Sequence, residues 1–510
     1  MSISSECKTI GELVNLQSQR HGSKPFIISP DGPRVITYQQ LGECISRVVG
    51  SLRQQGVSKG DKVSILLPNI PEYAYILLGA MKLGAVANPV NIYLKAPELQ
   101  FLLEHAESKV VVTSSEFLPL LEEVWQLWRR ILPVAVLDEG DKDLHFQQSP
   151  ISNPSSSTEV VAEDEAELLY TTGTIGRPKG VLLTHKNLLS EAQFIVDGHK
   201  FTENDRGLCL LPFFHINGQV VNLISGLLSG GSIILPCCFS ASTFWFSLAN
   251  YEATWFNAVP TIYCILLNRP KEEVAHLNLS KVKFGRSASA PLPVAVQKAF
   301  EERFQIPIIE TYGISETASQ VTTNPREVNE RKLGSVGRAQ GCEVKIVNKE
   351  GQELPRGQEG EIVVRGKNVT KGYYKDPEAT AEALRDGWFH SGDLGYQDDQ
   401  GFLFITGRLR ELIIRGGENI APREINDVLY SHPKIQEAAT VGIPDPCYGE
   451  EVKSFVVVKP GQKCSEKELL DYCRQRLADF KCPKSISFLK EMPKSPGGKI
   501  ISRKLVDLAK

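Results

Sequence analysis

The chain has 510 residues, 42% apolar and 23% charged, the makeup of a soluble globular protein with two or more domains. Lys plus Arg number 57 and Asp plus Glu 60, a net charge of −3 that argues against a nucleic-acid partner. Eleven scattered cysteines without a CxxC pair, an opening MSISSECKTI unlike a secretory leader, and no apolar run of membrane-spanning length predict a cytoplasmic protein without stable membrane insertion.

In chain order, DKVSILLPN (61–69) predicts a buried strand and turn, and PEYAYILLGAMKLGAV (71–86) a helix with Pro71 in its first turn. ESKVVVTS (107–114) predicts a further strand, so helices flank a mostly parallel sheet. QSPISNPSSSTEV (148–160) reads as an exposed loop. AELLYTTG (166–173) is a strand entering a glycine turn, and helical periodicity sets in at Asn187. Between 205 and 330 short apolar strands recur: LCLLPFF, GSIILP, ATWFNAV, KVKFGRS and IPIIETYG, with helices predicted over 219–230 and 290–304. Residues 335–407 (CEVKIVN, GEIVVRG, GFLFITG) predict a smaller antiparallel or barrel unit. After Arg408 come about 100 residues of α+β pattern, with helices in EINDVLYSH and EKELLDYCRQRLADF and strands in EEVKSFVVVK and KSISFLKE. Leu409 to Lys510 carries 18 basic and 14 acidic residues, whereas the rest is net negative.

The densest chemical signal is Tyr170-Thr171-Thr172-Gly173-Thr174-Ile175-Gly176-Arg177-Pro178-Lys179-Gly180, directly after a strand. Glycines permit tight turns, successive N–H groups form an anion nest, and Thr171, Thr172, Thr174 and Lys179 add donors and charge. A nucleotide pyrophosphate fits. Lys179 precedes Gly rather than Ser or Thr, so this is not a Walker A loop, and no strand-associated GxGxxG exists.

This stretch resembles the phosphate loop of the adenylate-forming superfamily, which includes acyl-CoA synthetases, luciferases and peptide-synthetase adenylation domains. Further matches run in order: Ser287-Ala288-Ser289-Ala290-Pro291-Leu292, Tyr312-Gly313-Ile314-Ser315-Glu316, Gly387-Trp388-Phe389-His390-Ser391-Gly392-Asp393, Gly407-Arg408-Leu409-Arg410-Glu411 and Pro496-Gly497-Gly498-Lys499-Ile500. The resemblance covers nearly the whole chain. It implies a large α/β N-terminal domain (1–408) of stacked α/β subdomains plus a β-rich subdomain. A small mobile α+β C-terminal domain (409–510) follows, with its hinge at Arg410.

The resemblance also implies roles. Glu316 serves Mg²⁺, for which a hard carboxylate oxygen is suited. Ser315 stands where relatives carry a phosphate-contacting Thr. Thr171, Thr172, Gly173, Thr174, Gly176 and Lys179 hold the ATP phosphates. Ser289, Ala290, Pro291, Glu310, Thr311, Tyr312 and Gly313 wall the adenine, and Asp393 and Arg408 hold the ribose. Lys499, delivered from the chain end, neutralises transition-state charge. Arg415, Gly416 and Gly417 meet CoA. Thr171, Lys179, His215 and Lys499 form the catalytic set.

His215, Asn217, Val220, Val221, Gly285 and Gly313 are expected to line a mainly apolar acid pocket with one polar spot at Asn217. That pocket suits a short- to medium-chain or small aryl acid. FHING followed by FSASTFW resembles carnitine- or crotonobetaine-CoA ligases and medium-chain relatives. Trp255, Phe256 and Ala258 read as core. The implied activity is ATP- and Mg²⁺-dependent formation of an acyl-adenylate, then transfer to CoA. A stand-alone acyl carrier protein is the alternative acceptor, and a non-catalytic nucleotide sensor the reading from another class.

Overall fold

The computed structural model describes residues 6–32, 34–141, 143–146, 159–171, 178–270, 272–409, 411–415, 418–446, 448–495 and 498–509. The Ser/Pro stretch expected as a loop lies outside these except for its last two residues.

Alternating apolar strands and helices build the first layer. Strands β1 (Lys62–Leu66), β2 (Val86–Pro89) and β3 (Ser108–Thr113) pair in parallel, with β1 in the middle. Helix α1 (Pro71–Leu83) joins β1 to β2, and every residue in it but Lys82 is buried. A helix apolar all round belongs between layers rather than on a surface. Accordingly one core contains most of α1, Val63 and Val110 of this sheet, and Phe26 and Ile27 of the next. Gly84 ends α1 at φ 85°, a left-handed cap that favours glycine.

Strands β4 (Glu165–Thr171) and β5 (Lys179–Thr184) extend the same sheet past β2 and run antiparallel to each other, with Thr171 paired to Lys179. Helix α2 (His185–His199) starts two residues before Asn187, because the Thr184 side chain accepts the Asn187 N–H (3.1 Å) and Asn187 Oδ1 accepts the Thr184 N–H (2.8 Å).

The second layer carries β6 (Arg206–Cys209), β7 (Trp255–Ala258), β8 (Phe284–Ser287) and β9 (Ile308–Tyr312), parallel and side by side in chain order. Their carboxyl ends open one crevice, as open α/β sheets do. Where periodicity predicts a helix over 219–230, the chain forms a π-helical segment, Asn217–Ile224, followed by an α-helix, Ser225–Ser229. Helix α3 (Val294–Phe304) begins four residues later than expected, after the prolines at 291 and 293.

The β-rich stretch is an antiparallel sheet, as read, containing β10 (Glu343–Val347), β11 (Gly360–Arg365), β12 (Trp388–Gln397) and β13 (Leu403–Arg408). Beyond it α4 (Pro422–Tyr430), β14 (Ile435–Asp445), β15 (Gly449–Val458), α5 (Glu466–Arg474) and β16 (Ser485–Phe488) form a small α+β unit. It has its own core around Ile413, Ile420, Leu429, Val452 and Leu469.

Candidate functional site

Thr171 and Lys179 are the last paired residues of the β4–β5 ladder, and the Thr171 hydroxyl donates to the Lys179 carbonyl (3.5 Å). Thr172, Gly173, Thr174 and Gly176 lie outside the described residues. Lys179 Nζ sits 4.8 Å from the Tyr373 ring centre, a cation–π contact. The Tyr373 hydroxyl donates to Glu316 Oε1 (2.9 Å). Tyr373 is held there because it pairs antiparallel with Val181 of β5. Thus a phosphate-side cation and the proposed metal carboxylate share one aromatic spacer. Glu316 stands in a one-turn 3₁₀ segment, Ser315–Thr317, and burial raises its pKa. A carboxylate so desolvated, beside the Ser315 hydroxyl, is suited to a hard cation such as Mg²⁺.

The ribose-side pair follows from strand register. Asp393 of β12 lies opposite Arg408 of β13, and Arg408 Nε donates to Asp393 Oδ1 (2.6 Å). The Tyr312 hydroxyl donates to Asp393 Oδ2 (2.7 Å). Asp393 is 2% exposed, so each oxygen keeps one lone pair for a further donor. Tyr312 and Gly313 reach this point at the end of β9. A Cβ on Gly313 would stand 1.5 Å from the Ser319 carbonyl oxygen, so no side chain fits. Thr311 donates to the Ser287 carbonyl (3.3 Å), tying β9 to β8. Glu310 is buried, accepts the Leu292 N–H (3.1 Å), and is pushed up to about 7 by desolvation. Ala290 is half-buried and Pro291 exposed.

Lys499 arrives from the small domain. Its neighbour Gly498 gives its carbonyl to the Thr261 hydroxyl (2.7 Å). Lys499 keeps solvent contact, yet it is recessed enough for desolvation to lower its pKa. Arg408 adds to the shift, while Glu411 and Asp393 oppose it. The chain-end lysine therefore stands within electrostatic reach of the Asp393–Arg408 pair. His215 is also exposed. Desolvation, with Lys499 adding, pulls it down to about 4, so the imidazole is neutral at pH 7.

The acid side departs from expectation. Asn217 Nδ2 donates to Ser289 Oγ (3.1 Å), joining two expected residues of separate motifs. Ser289 is exposed with φ 71°, a strained position for a non-glycine residue. Val220 and Val221 are fully buried in the main core. Gly285 faces away from Asn217: a Cβ there would meet Phe256 Cζ at 2.4 Å and Tyr263 Oη at 2.8 Å. Trp255, Phe256 and Ala258 are core, as read. Arg286 of β8, only 1% exposed, donates to Asn217 (3.0 Å), Asn257 (3.1 Å) and Gln320 (3.1 Å), so the polar spot expected at Asn217 is one end of a buried network of amides.

Tyr373 was not foreseen, and Arg286 was not singled out, although it lies in the 285–289 strand end expected to line the acid. A charged residue inside the apolar run KVKFGRS is the signal for Arg286, since β8 is otherwise buried. No local pattern marks Tyr373. Arg415 is engaged within its own domain, paired with Glu451 (2.6 Å) and stacked 4.6 Å from the Tyr448 ring. Arg410, Gly416 and Gly417 lie outside the described residues. Among the described residues, His432, Cys464 and Glu468 are the one group spaced for a metal, and Glu468 already pairs with Lys434 (2.7 Å).

Residues 14–374 match the AMP-binding enzyme family and 424–499 the AMP-binding enzyme C-terminal domain. The sulfoacetate–CoA ligase of Cupriavidus necator is 39% identical, covering 98% of each chain. The crotonobetaine/carnitine–CoA ligase of Proteus mirabilis is 34% identical over 92% of this chain and 93% of that one. The solved anthranilate CoA ligase AuaEII, in complex with anthranoyl-AMP, superposes with a TM-score of 0.89 at 28% identity, covering 98% and 97% of the two chains.

Proposed function

Because the chain belongs to the AMP-binding enzyme family, we propose that its crevice joins a carboxylic acid to CoA at the expense of ATP, through an acyl-adenylate. The carrying observation is the Gly498 carbonyl held on the Thr261 hydroxyl (2.7 Å), which brings the adjacent Lys499 within electrostatic reach of the Asp393–Arg408 pair and of His215. The acid's carboxylate oxygen attacks the α-phosphorus, the bond to the bridging oxygen breaks, and pyrophosphate leaves. Thr171, Lys179 and the residues between them hold the phosphates, and Lys499 offsets charge on the transferring group. Glu316, with Ser315, would hold Mg²⁺, which when bound shields phosphate charge.

Asp393 and Arg408 take the ribose hydroxyls, and Tyr312, Thr311 and Glu310 stand beside the base. In the second step the CoA sulfur attacks the acyl carbon, AMP departs, and the thiol proton goes to solvent. A swing of the small domain about Arg410, with the boundary at 408/409, withdraws Lys499 and presents Arg415 to Gly417 to CoA. That the similar proteins are named CoA ligases favours CoA over a carrier protein as acceptor. The ten described cysteines are free thiols, and no described helix is long and apolar enough to cross a membrane; both support a cytoplasmic location.

The test is pyrophosphate release and CoA-thioester formation across a panel of acids, with and without CoA. Magnesium-dependent pyrophosphate release without any thioester in the presence of CoA would redirect the reading to another acceptor. No pyrophosphate with any acid would end it.

A further inference from the structure

Behind Asn217, the polar residue expected in the acid pocket, the molecule holds a charge to which the reaction above gives no task. Arg286 is buried in β8, and its hydrogen-bond partners are three neutral amides. Among the described residues no carboxylate lies within ion-pair distance of it. Its electrostatic neighbour Glu191 is buried, accepts the Gln320 N–H (2.7 Å) and Asn368 Nδ2 (2.9 Å), and meets Arg286 only through Gln320, whose side-chain oxygen accepts from the guanidinium. Burial pulls Arg286 down only to about 10, so the guanidinium stays charged. A buried cation without a direct ion pair is costly, and an anion brought close offsets that cost.

The arginine also fixes which way the amides face. A guanidinium only donates, so the oxygens of Asn217 and Asn257 must turn toward it. Asn257 Nδ2 then donates to Asn217 Oδ1 (2.8 Å) and Asn222 Oδ1 (2.9 Å). Asn217 is left with its N–H₂ edge outward, donating to the exposed Ser289 hydroxyl, whose own proton is free to point into the crevice. Two donors, Asn217 Nδ2 and the Ser289 hydroxyl, are thus left on the outer side of a buried positive charge. The reacting carboxylate and the phosphates it attacks are served by Lys499 and Lys179, so the Arg286 side is available for a second group.

We infer that the pocket selects a short acid bearing a second anionic group, carboxylate or sulfonate, received by Asn217 Nδ2 and Ser289 Oγ in the field of Arg286. The inference rests on the acid–CoA ligase reading. Arg286 is a positioning residue that acts through Asn217. An acid carrying a quaternary ammonium is repelled by the same field.

Steady-state pyrophosphate release and thioester formation with ATP, Mg²⁺ and CoA test this. Sulfoacetate, oxalate and malonate are compared with propionate, butyrate and carnitine. The wild type is expected to favour the best dianion over a monoanion of similar size by about 100-fold in kcat/KM. Arg286→Met lowers that ratio about 10- to 100-fold, and Arg286→Lys retains part of it. Ser289→Asp, on an exposed left-handed position that Asp tolerates, lowers the ratio as well and carries the test if Arg286→Met fails to fold. A ratio that survives Ser289→Asp, an equal loss for both acid classes in Arg286→Met, or wild-type preference for monoanions or carnitine overturns the inference and leaves the ligase reading standing. If malonate and oxalate fail where sulfoacetate succeeds, the second group is the sulfonate; the reverse makes it a carboxylate. No pyrophosphate with any acid overturns the ligase reading itself.

Discussion

Glu316 and Lys179 are separated by the Tyr373 ring, which stacks under the cation and hydrogen-bonds the carboxylate. Neither residue was paired with the other by sequence spacing, because Tyr373 comes from a strand added to the sheet nearly 200 positions beyond Lys179. Glu316→Gln keeps the hydrogen-bonding shape and removes the charge. The magnesium concentration for half-maximal pyrophosphate release should rise about tenfold or more, read from a magnesium titration at saturating ATP. A second residue-scale expectation concerns Glu167, fully buried in β4 and pushed up to about 8 by desolvation. Its folded pKa lies above the unfolded value. Its contribution to stability is therefore complete below about 4.5 and is lost as pH rises through about 8. Glu167→Gln removes this loss. The variant's Tm, measured against wild type by calorimetry, should be higher at pH 8 than at pH 5 relative to wild type.

At the scale of elements, the repeating strand–helix pattern was legible where burial is two-sided. The strand at 61–69, the Pro71 helix and the antiparallel unit at 335–407 all stand where hydrophobic patterning put them. Patterning failed where polar residues are buried. Arg286 looks like a flaw in a strand, yet it is buried and gathers the Asn217, Asn257 and Gln320 oxygens, while Val220 and Val221, expected at the acid, are packed in the core. The motif residues Asp393, Arg408, Tyr312, Ser289 and Asn217 were legible through resemblance. Their mutual hydrogen bonds depend on the register of β12 on β13 and of β8 on β9, which no local window contains. The β9 end also leaves no room for variation. Gly313→Ala forces the Ser319 carbonyl aside and should cost about 3 kcal/mol, seen as a lower Tm, together with a raised KM for ATP as Tyr312 is displaced.

For the whole molecule, the central expectation is a division of labour between two placements of the small domain. Lys499→Ala should slow adenylate formation about 100- to 1,000-fold. It should leave thioester formation from supplied acyl-adenylate within about twofold, as judged by single-turnover assays of each half-reaction. Equal loss in both would mean that one arrangement serves both steps. The domain was foreseeable from its separate α+β pattern and basic excess. Its docking through the Gly498 carbonyl on Thr261 was not, since a backbone acceptor leaves no mark in sequence. The π-helical segment Asn217–Ile224 has a longer consequence. A π turn holds one residue more than an α turn. Deleting one codon there restores ordinary winding and rotates Asn217 by about 100° off the arginine-backed wall. Descendants of this gene thus have a single-step route to a new diet of acids, reached by deletion where substitution would have to rebuild an entire row of amides.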